Sequence, residues 1–416
     1  MIVRNILPTT LHLLIASYFV PISATTSTRF HLRHAHGLVA NSSRVVFSDI
    51  EPSAQFAADD VFEVSTRSLK IPRTRSQADY SRARSLGIQP QWDEAEVDGP
   101  DVRQRETLHM LAKMTNDAYY ADRGKKGWYD LGPDWNTSYP FGWEPDADGF
   151  RGHVFVSEDN NTVVLSVKGT SPGWIVGDGG PTVIKDKIND NLLFSCCCAR
   201  VGPTWSTVCG CYEGGYKCDQ NCLEKSLVED SLFYSVGINL YNNITYLYPE
   251  ANIWLTGHSL GGSLASLMGV TFGVPVVAFE APGERLAAAR LHLPSPPSLQ
   301  HITHVYHSAD PIPQGKCTGV SSPCAIGGYA LETGCHLGKT ILYDTVSQLG
   351  WSVNARTHGI RVIVEKLLAK DWEGGVPEAT EEADCVDCYA WEFGDYRNAS
   401  CNAGTSAPPP ALLIQV

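Results

Sequence analysis

Ile253-Trp254-Leu255-Thr256-Gly257-His258-Ser259-Leu260-Gly261-Gly262 decides how this chain is read. Ile253 to Leu255 is a short apolar strand, Leu260 to Val270 is small and apolar like a buried helix, and Val274 to Phe279 is a strand again. Together they predict a β-α-β unit. Gly257-His258-Ser259-Leu260-Gly261 is a G-x-S-x-G step placed between strand and helix, where a nucleophile elbow requires it. Such a turn strains the Ser backbone and leaves room only for residues without bulk two positions to either side, which Gly257 and Gly261 supply. The helix starting at Leu260 turns its first amides and positive dipole end toward the same spot, so the Leu260 amide is a candidate oxyanion donor.

A Ser hydroxyl is too weak an acid to attack an ester unaided; a His must take its proton and a carboxylate must orient that His. The chain order Ser, acid, His leaves Asp310 and Asp344 as acids. Asp310 follows the strand Ile302 to Tyr306 and so falls at the carboxyl edge of a parallel sheet, beside the Ser turn. For the base, His358 leads into a last predicted helix, Ile360 to Ala369, and is preferred to His336, which follows Cys335 in a loop that disulfides could lock. His301, His304 and His307 read as solvated or satisfied strand residues, and His258 as a shaping neighbour of the nucleophile. A second oxyanion donor belongs after an earlier strand, where Gly169-Thr170-Ser171 stands, and Thr170 offers an amide and a hydroxyl.

Working outward, Leu108, Leu111, Ala112 and Ala118 suit a helix over Glu106 to Tyr120, and Gly152 to Ser157 with Thr162 to Lys168 reads as a hairpin. Val228, Leu232, Val236 and Leu240 recur every fourth residue and predict another helix. Residues 29–104 are rich in Ser, Arg, Asp and Pro and predict irregular structure. Residues 192–222 hold seven Cys with little periodicity, a disulfide-stapled insertion and no helix. Residues 371–416 read as an acidic, Cys-bearing, Pro-ending tail.

At 416 residues with 43% apolar and 19% charged positions, the chain has material for one large α/β domain with insertions, or for two domains. The net charge of -13 repels phosphate backbones and excludes a nucleic-acid partner in general. Thirteen Cys point to an oxidising compartment. Zinc at the Cys cluster is the sharper alternative, but the spacing lacks a paired knuckle, and neither metal nor cofactor is expected. No charge lies between Arg4 and Arg29, so residues 1–28 form a secretory segment; Ser23 and Ala24 favour cleavage over a retained anchor. Sequons at Asn41, Asn136, Asn160, Asn243 and Asn398, all downstream, fit a glycosylated lumenal body.

Through Val163-Val164-Leu165-Ser166-Val167-Lys168-Gly169-Thr170, Gly257 to Gly262 and Asp310-Pro311, residues 105–370 resemble the class 3 lipases of filamentous fungi. The run from Asp186 to Arg200, with Cys196-Cys197-Cys198, is similar to the fungal autophagy-related lipases that disintegrate autophagic bodies in the vacuole. The resemblance implies an α/β-hydrolase core, a Ser259, Asp310 and His358 triad, and hydrolysis of membrane phospholipid or neutral lipid esters. It further implies a retained signal anchor, hence a single-pass type II protein carried lumen-side through endosomes and multivesicular bodies to the vacuole. Gly404 to Val416 has no counterpart in it. The rivals are a secreted carboxylesterase, a serine peptidase and a non-catalytic membrane-binding scaffold, the last opposed by an intact triad. Trp174, Ile175, Val176 and the Cys-rich insertion are candidates for a mobile cover over an acyl groove.

Overall fold

The computed structural model describes residues 26–38, 45–49, 62–74, scattered positions of 75–89, then 90–120, 150–157, 159–170, 183–200, 207–230 and 232–396. Its strands in chain order are β1 (Thr26–Leu38), β2 (Val45–Asp49), β3 (Phe62–Thr74), β4 (Trp92–Pro100), β5 (Arg151–Ser157), β6 (Thr162–Val167), β7 (Tyr212–Gly214), β8 (Lys217–Asp219), β9 (Asn252–His258), β10 (Val276–Phe279), β11 (Ile302–His307), β12 (Lys339–Tyr343), β13 (Thr380–Glu381) and β14 (Glu392–Gly394). One sheet runs β13-β12-β11-β10-β9-β6-β5-β1-β3-β4, with β2 added on β1. Its centre, β6, β9, β10, β11 and β12, is parallel, and the other pairings are antiparallel.

Side chains alternate across this sheet and both faces are covered, which is why its central strands read as near-continuous apolar runs. Val163 and Leu165 of β6 and Leu255 of β9 join one buried cluster with Leu193, Phe233 and Leu264. Val164 and Trp254 face the other way, into a cluster with Leu108, Leu111, Ile363 and Leu367. The expected β-α-β unit is present as β9, the helix Leu260–Phe272 and β10. The predicted hairpin is β5 against β6, and the predicted first helix is Arg105–Asp117. The four-residue pattern from Val228 belongs to two helices, Gln220–Asp230 and Leu232–Leu247. The last helix is a short α-turn, Ile360–Val362, continued by a π-turn, Ile363–Leu367. This parallel sheet with helices on both faces and an elbow after β9 is the α/β-hydrolase arrangement.

Three sequence expectations need correction. The described parts of residues 29–104 are largely strand: β1 to β4 extend the sheet, and β1 pairs with β5 from Phe30↔Ser157 to Gly37↔Arg151. Phe30 is buried against Trp254, with ring centroids 5.4 Å apart. These strands looked polar because antiparallel strands at a sheet's flank bury only part of their surface and their partners lie far away in sequence. Residues 371–396 are no loose tail: β13 pairs with β12, β14 pairs with β8, and Cys385 and Cys388 bond to Cys335 and Cys196. The Cys-rich stretch is loop-rich at 195–200 and 207–211, but helices enter it from both ends, Val183–Phe194 and Gln220–Asp230.

Cys197–Cys218, Cys198–Cys209 and Cys211–Cys222 close that insertion, and Cys317–Cys324 closes a separate loop. Cys197, Cys198, Cys211 and Cys218 lie fully buried in the core and anchor the described part of the insertion. The secretory segment up to residue 25 and the cover residues Trp174, Ile175 and Val176 lie outside the described residues. Among the described residues no helix is long and apolar enough to cross a membrane.

Candidate active site

The parallel strands end nearly in step, with Val167 opposite Gly257, His258 opposite Phe279, and Phe279 opposite Val305. Whatever follows each strand therefore collects at one edge: Gly169 and Thr170 after β6, Ser259 after β9, Glu280 after β10 and Asp310 after β11. Ser259 has φ 56° and ψ -132°, a left-handed backbone unusual for a residue with a side chain. Its amide is fixed to Phe279 O at 3.0 Å. A Cβ on Gly257 would sit 2.4 Å from Gly261 O, and one on Gly261 would sit 2.3 Å from Val167 O. Both glycines are thus demanded by close backbone approach.

Ser259 Oγ donates to His358 Nε2 at 2.8 Å, and His358 Nδ1 donates to Asp310 Oδ2 at 2.6 Å. His358 ends a 3-10 turn, Ala355–His358, whose first turn is capped by Asn354. The Asn354 amide and the Thr357 hydroxyl both donate to Ala309 O, at 2.9 and 3.1 Å, lacing the histidine's loop to the aspartate's. Asp310 also accepts the Ile312 amide at 3.0 Å. Burial pushes the Asp310 carboxyl up, but the charge and hydrogen bond of His358 outweigh it and hold it below the usual carboxylate range.

The rivals stand elsewhere. Asp344 caps the short helix Thr345–Leu349 and accepts from Ser308. His336 is buried between Ala281 O and the Glu382 carboxylate, away from Ser259. His301, His304 and His307 are buried, not solvated. His304 Nε2 lies 3.0 Å from Glu284, and His307 Nε2 donates to Thr357 O at 3.3 Å. His258 shapes the elbow as expected: its Nε2 donates to His358 O at 2.7 Å and its Nδ1 accepts from Tyr119 Oη at 2.6 Å. Burial, with the nearby His358 charge, pulls His258 down to about 3, so it stays neutral.

On the oxyanion side, a Cβ on Gly169 would strike His258 O at 2.2 Å, so this backbone passes directly over the elbow. The Thr170 hydroxyl donates to Asp190 Oδ2 at 2.6 Å instead of facing an oxyanion, which leaves its amide as the donor on offer. Burial pushes Asp190 well above the usual range, and burial pulls Lys168, whose Nζ donates to Gly169 O, down to about 8. Leu260 opens the buried helix behind Ser259. A cavity of about 410 Å³ opens over Ser259 and His358, with Tyr119, Thr170, Ile312 and Leu331 in its wall.

Tyr119 and Asp190 escaped the sequence reading. Tyr119 lies just past the end of the first helix and its oxygen also accepts the Gly169 amide at 3.1 Å, and neither partner is near it in sequence. Asp190 carries a signal only in hindsight, as an acid on the buried side of the helix Val183–Phe194. Of the sequons, Asn160 lies exposed in the β5–β6 turn and Asn243 exposed on the helix Leu232–Leu247. Asn41, Asn136 and Asn398 lie outside the described residues.

The family model for Lipase (class 3) matches residues 235–274, the stretch carrying the elbow. "Putative lipase ATG15" of Cryptococcus neoformans var. neoformans serotype D (strain B-3501A) is 43% identical over 494 residues, covering 90% of this chain and 95% of that protein. The chain belongs to the fungal ATG15 lipase family. The protein of the same name in Pichia angusta is 47% identical over 328 residues, 78% of this chain and 60% of its own length. The Lip2 lipase structure from Yarrowia lipolytica shares 15% identity over 66% of this chain and 81% of that one, with a TM-score of 0.30. As an ATG15 lipase the chain is a hydrolase of lipid esters, which sets aside the peptidase and scaffold readings.

Proposed function

We propose that Ser259 is the nucleophile, His358 its general base and Asp310 the carboxylate that orients and charge-balances His358, acting on membrane lipid esters. The observation that carries this reading is the unbroken hydrogen-bond chain from Ser259 Oγ through His358 to Asp310 at the floor of the cavity. As Ser259 Oγ attacks the ester carbonyl, its proton passes to His358 Nε2. The oxyanion is received by the amides of Leu260 and Thr170, and His358 then protonates the leaving alcohol. Water, deprotonated by His358, releases the fatty acid and restores Ser259.

The substrates fitting this family and a cavity that sets Ile312, Leu331, Ile360 and Val362 beside Arg356 and Arg361 are phospholipids or neutral lipids of vesicles delivered to the vacuole, autophagic bodies and multivesicular-body vesicles among them. The uncharged run between Arg4 and Arg29 supports a type II signal anchor with the catalytic body lumenal, and the five sequons support glycosylation of that body. Purified full-length protein is to be tested on phospholipid liposomes and triacylglycerol emulsions beside Ser259→Ala. Release of fatty acid that falls by about a thousandfold or more in the variant is expected; a folded Ser259→Ala that still turns over would defeat the triad. Hydrolysis of soluble short esters alone would favour a carboxylesterase. Carbonate extraction and glycosidase digestion of cell membranes test the address, which an unglycosylated cytosolic chain would refute.

A further inference from the structure

Behind the catalytic chain lies a carboxyl that this chemistry does not use. Glu280 directly follows β10, carries a positive φ of 45°, and is fully buried. An oxygen of Glu280, an oxygen of Asp310 and a ring nitrogen of His358 all lie within 4.8 Å of one another. Glu280 Oε1 accepts the His307 amide at 3.1 Å, and the His307 ring nitrogen Nε2 stands 3.7 Å from the same oxygen. Glu280 Oε2 is buried with no conventional hydrogen-bond partner among the described residues. Asp310 is far better supplied, by His358 Nδ1–H and the Ile312 amide. Two fully buried carboxylates this close disfavour a second charge, so one proton shared between them is the cheaper state, and the poorer-solvated partner is its natural owner.

We propose that Glu280 is a positioning residue for the triad: as a neutral carboxylic acid it turns its proton to Asp310, shares that charge, and so lets His358 remain a base in acid. The proposal rests on the triad assignment above. A nearby full carboxylate charge favours the imidazolium and would silence the base as the pH falls; an O–H bond to Asp310 spreads that charge and weakens the bias. Burial and then the Asp310 charge push the Glu280 carboxyl well above its usual range, in the same direction. The other titratable groups packed here are Tyr306 from β11, whose hydroxyl donates to Glu382, and two histidines, His307 from β11, kept low first by burial, and His258 from β9, turned to Tyr119 and the His358 carbonyl. Neither supplies a positive charge to Asp310, which leaves Glu280 and His358 to share it.

The test is the pH profile of kcat/KM for the full-length chain between about pH 4 and 8 on a soluble fatty-acyl ester. Wild type is compared with Glu280→Gln, Glu280→Leu and Ser259→Ala. Glu280→Gln can still donate an N–H to Asp310 and should keep the acidic limb where it is. Glu280→Leu removes the donor and should move that limb up by about one pH unit, costing about tenfold at pH 5 relative to its own plateau. A limb that moves to lower pH in Glu280→Gln would mean that Glu280 is ionised in the wild type and overturns the proposal. So would an unshifted acidic limb in a folded Glu280→Leu, or a Gln variant whose limb shifts up as far as Leu's. Glu280→Gln is nearly isosteric, so a limb that it shifts in either direction overturns the proposal even where Glu280→Leu fails to fold. Turnover surviving in Ser259→Ala strikes the triad itself, whereas a dead Ser259→Ala with unshifted Glu280 variants strikes only this inference.

Discussion

Single residues at the sheet edge separate chemistry from packing. His358 and His336 are both buried, yet only His358 touches Ser259, while His336 bonds Glu382 and Ala281 O. His358→Ala and Asp310→Asn should each lower kcat by about three to four orders of magnitude. His336→Ala should lower the melting temperature and leave kcat within about threefold. An essential His336 beside a dispensable His358 would reverse the assignment. Thr170 offers a finer distinction, because its hydroxyl is bound to Asp190 and not free to meet the oxyanion. Thr170→Val therefore loosens the loop that aims the amide, with an expected loss of about 10- to 100-fold in kcat and little change in KM. Single-turnover acylation measures it, and an unaltered acylation rate would show that the amide is held by the backbone alone.

At the scale of elements, the segment after residue 370 works as a strap. β13 lies on β12, β14 lies on β8, and Trp391 packs edge-on to Tyr212 and Tyr216. Between the two strands Glu382 accepts from the His336 amide and ring and from Tyr306. Burial pushes the Glu382 carboxyl up, but His336 outweighs it and pulls it down to about 2. Burial likewise pulls His336 down, and Glu382 with Glu284 reverses it to a raised value. A depressed carboxyl gives stability that is complete above the unfolded Glu value, near 4.5, and lost as the pH falls through its folded value of about 2. A raised histidine gives stability that is complete below its unfolded value, near 6.5, and lost as the pH rises through its folded value. Their common window is mildly acidic, between those two unfolded values. Glu382→Gln should lower the melting temperature by about 2–4 °C at pH 5.5 and by less at pH 8.5. Calorimetry at the two pH values checks this, and equal losses at both would remove the ion pair from the account.

For the whole molecule, the covalent links reach furthest where the chain is least regular. Cys196–Cys388 spans 192 residues and Cys335–Cys385 spans 50, fastening the strap to the Cys-rich insertion and to the loop after residue 334. Closing long loops removes more freedom from the unfolded chain than closing short ones. The double variant Cys196→Ser/Cys388→Ser should lose about 2–4 kcal/mol, read from denaturant unfolding under non-reducing conditions. The pair Cys317→Ser/Cys324→Ser, which closes only 7 residues, should lose less. Equal losses would mean that strain or local packing, not chain entropy, sets the value.

Local sequence was enough for the elbow, because its needs are local: an apolar strand, two glycines flanking Ser259 and a helix of small residues. It also brought forward Asp310 and His358 as candidates, since chain order and strand ends restrict the acid and base to few positions, and the fold sets both in one hydrogen-bond chain with Ser259. It also foretold disulfides in place of an open cluster, from the number of cysteines and their crowding. It did not show β1 to β4, whose half-polar surfaces make sense only beside β5 and each other. Nor did it show the strap after residue 370, where acidic composition hid a buried carboxylate and two bonded cysteines. Tyr119, Asp190 and Glu280 were decided by tertiary structure alone. Each is an ordinary residue at the end or on the side of an element, and acquires meaning only when strands distant in the chain end at the same edge and exclude water around it.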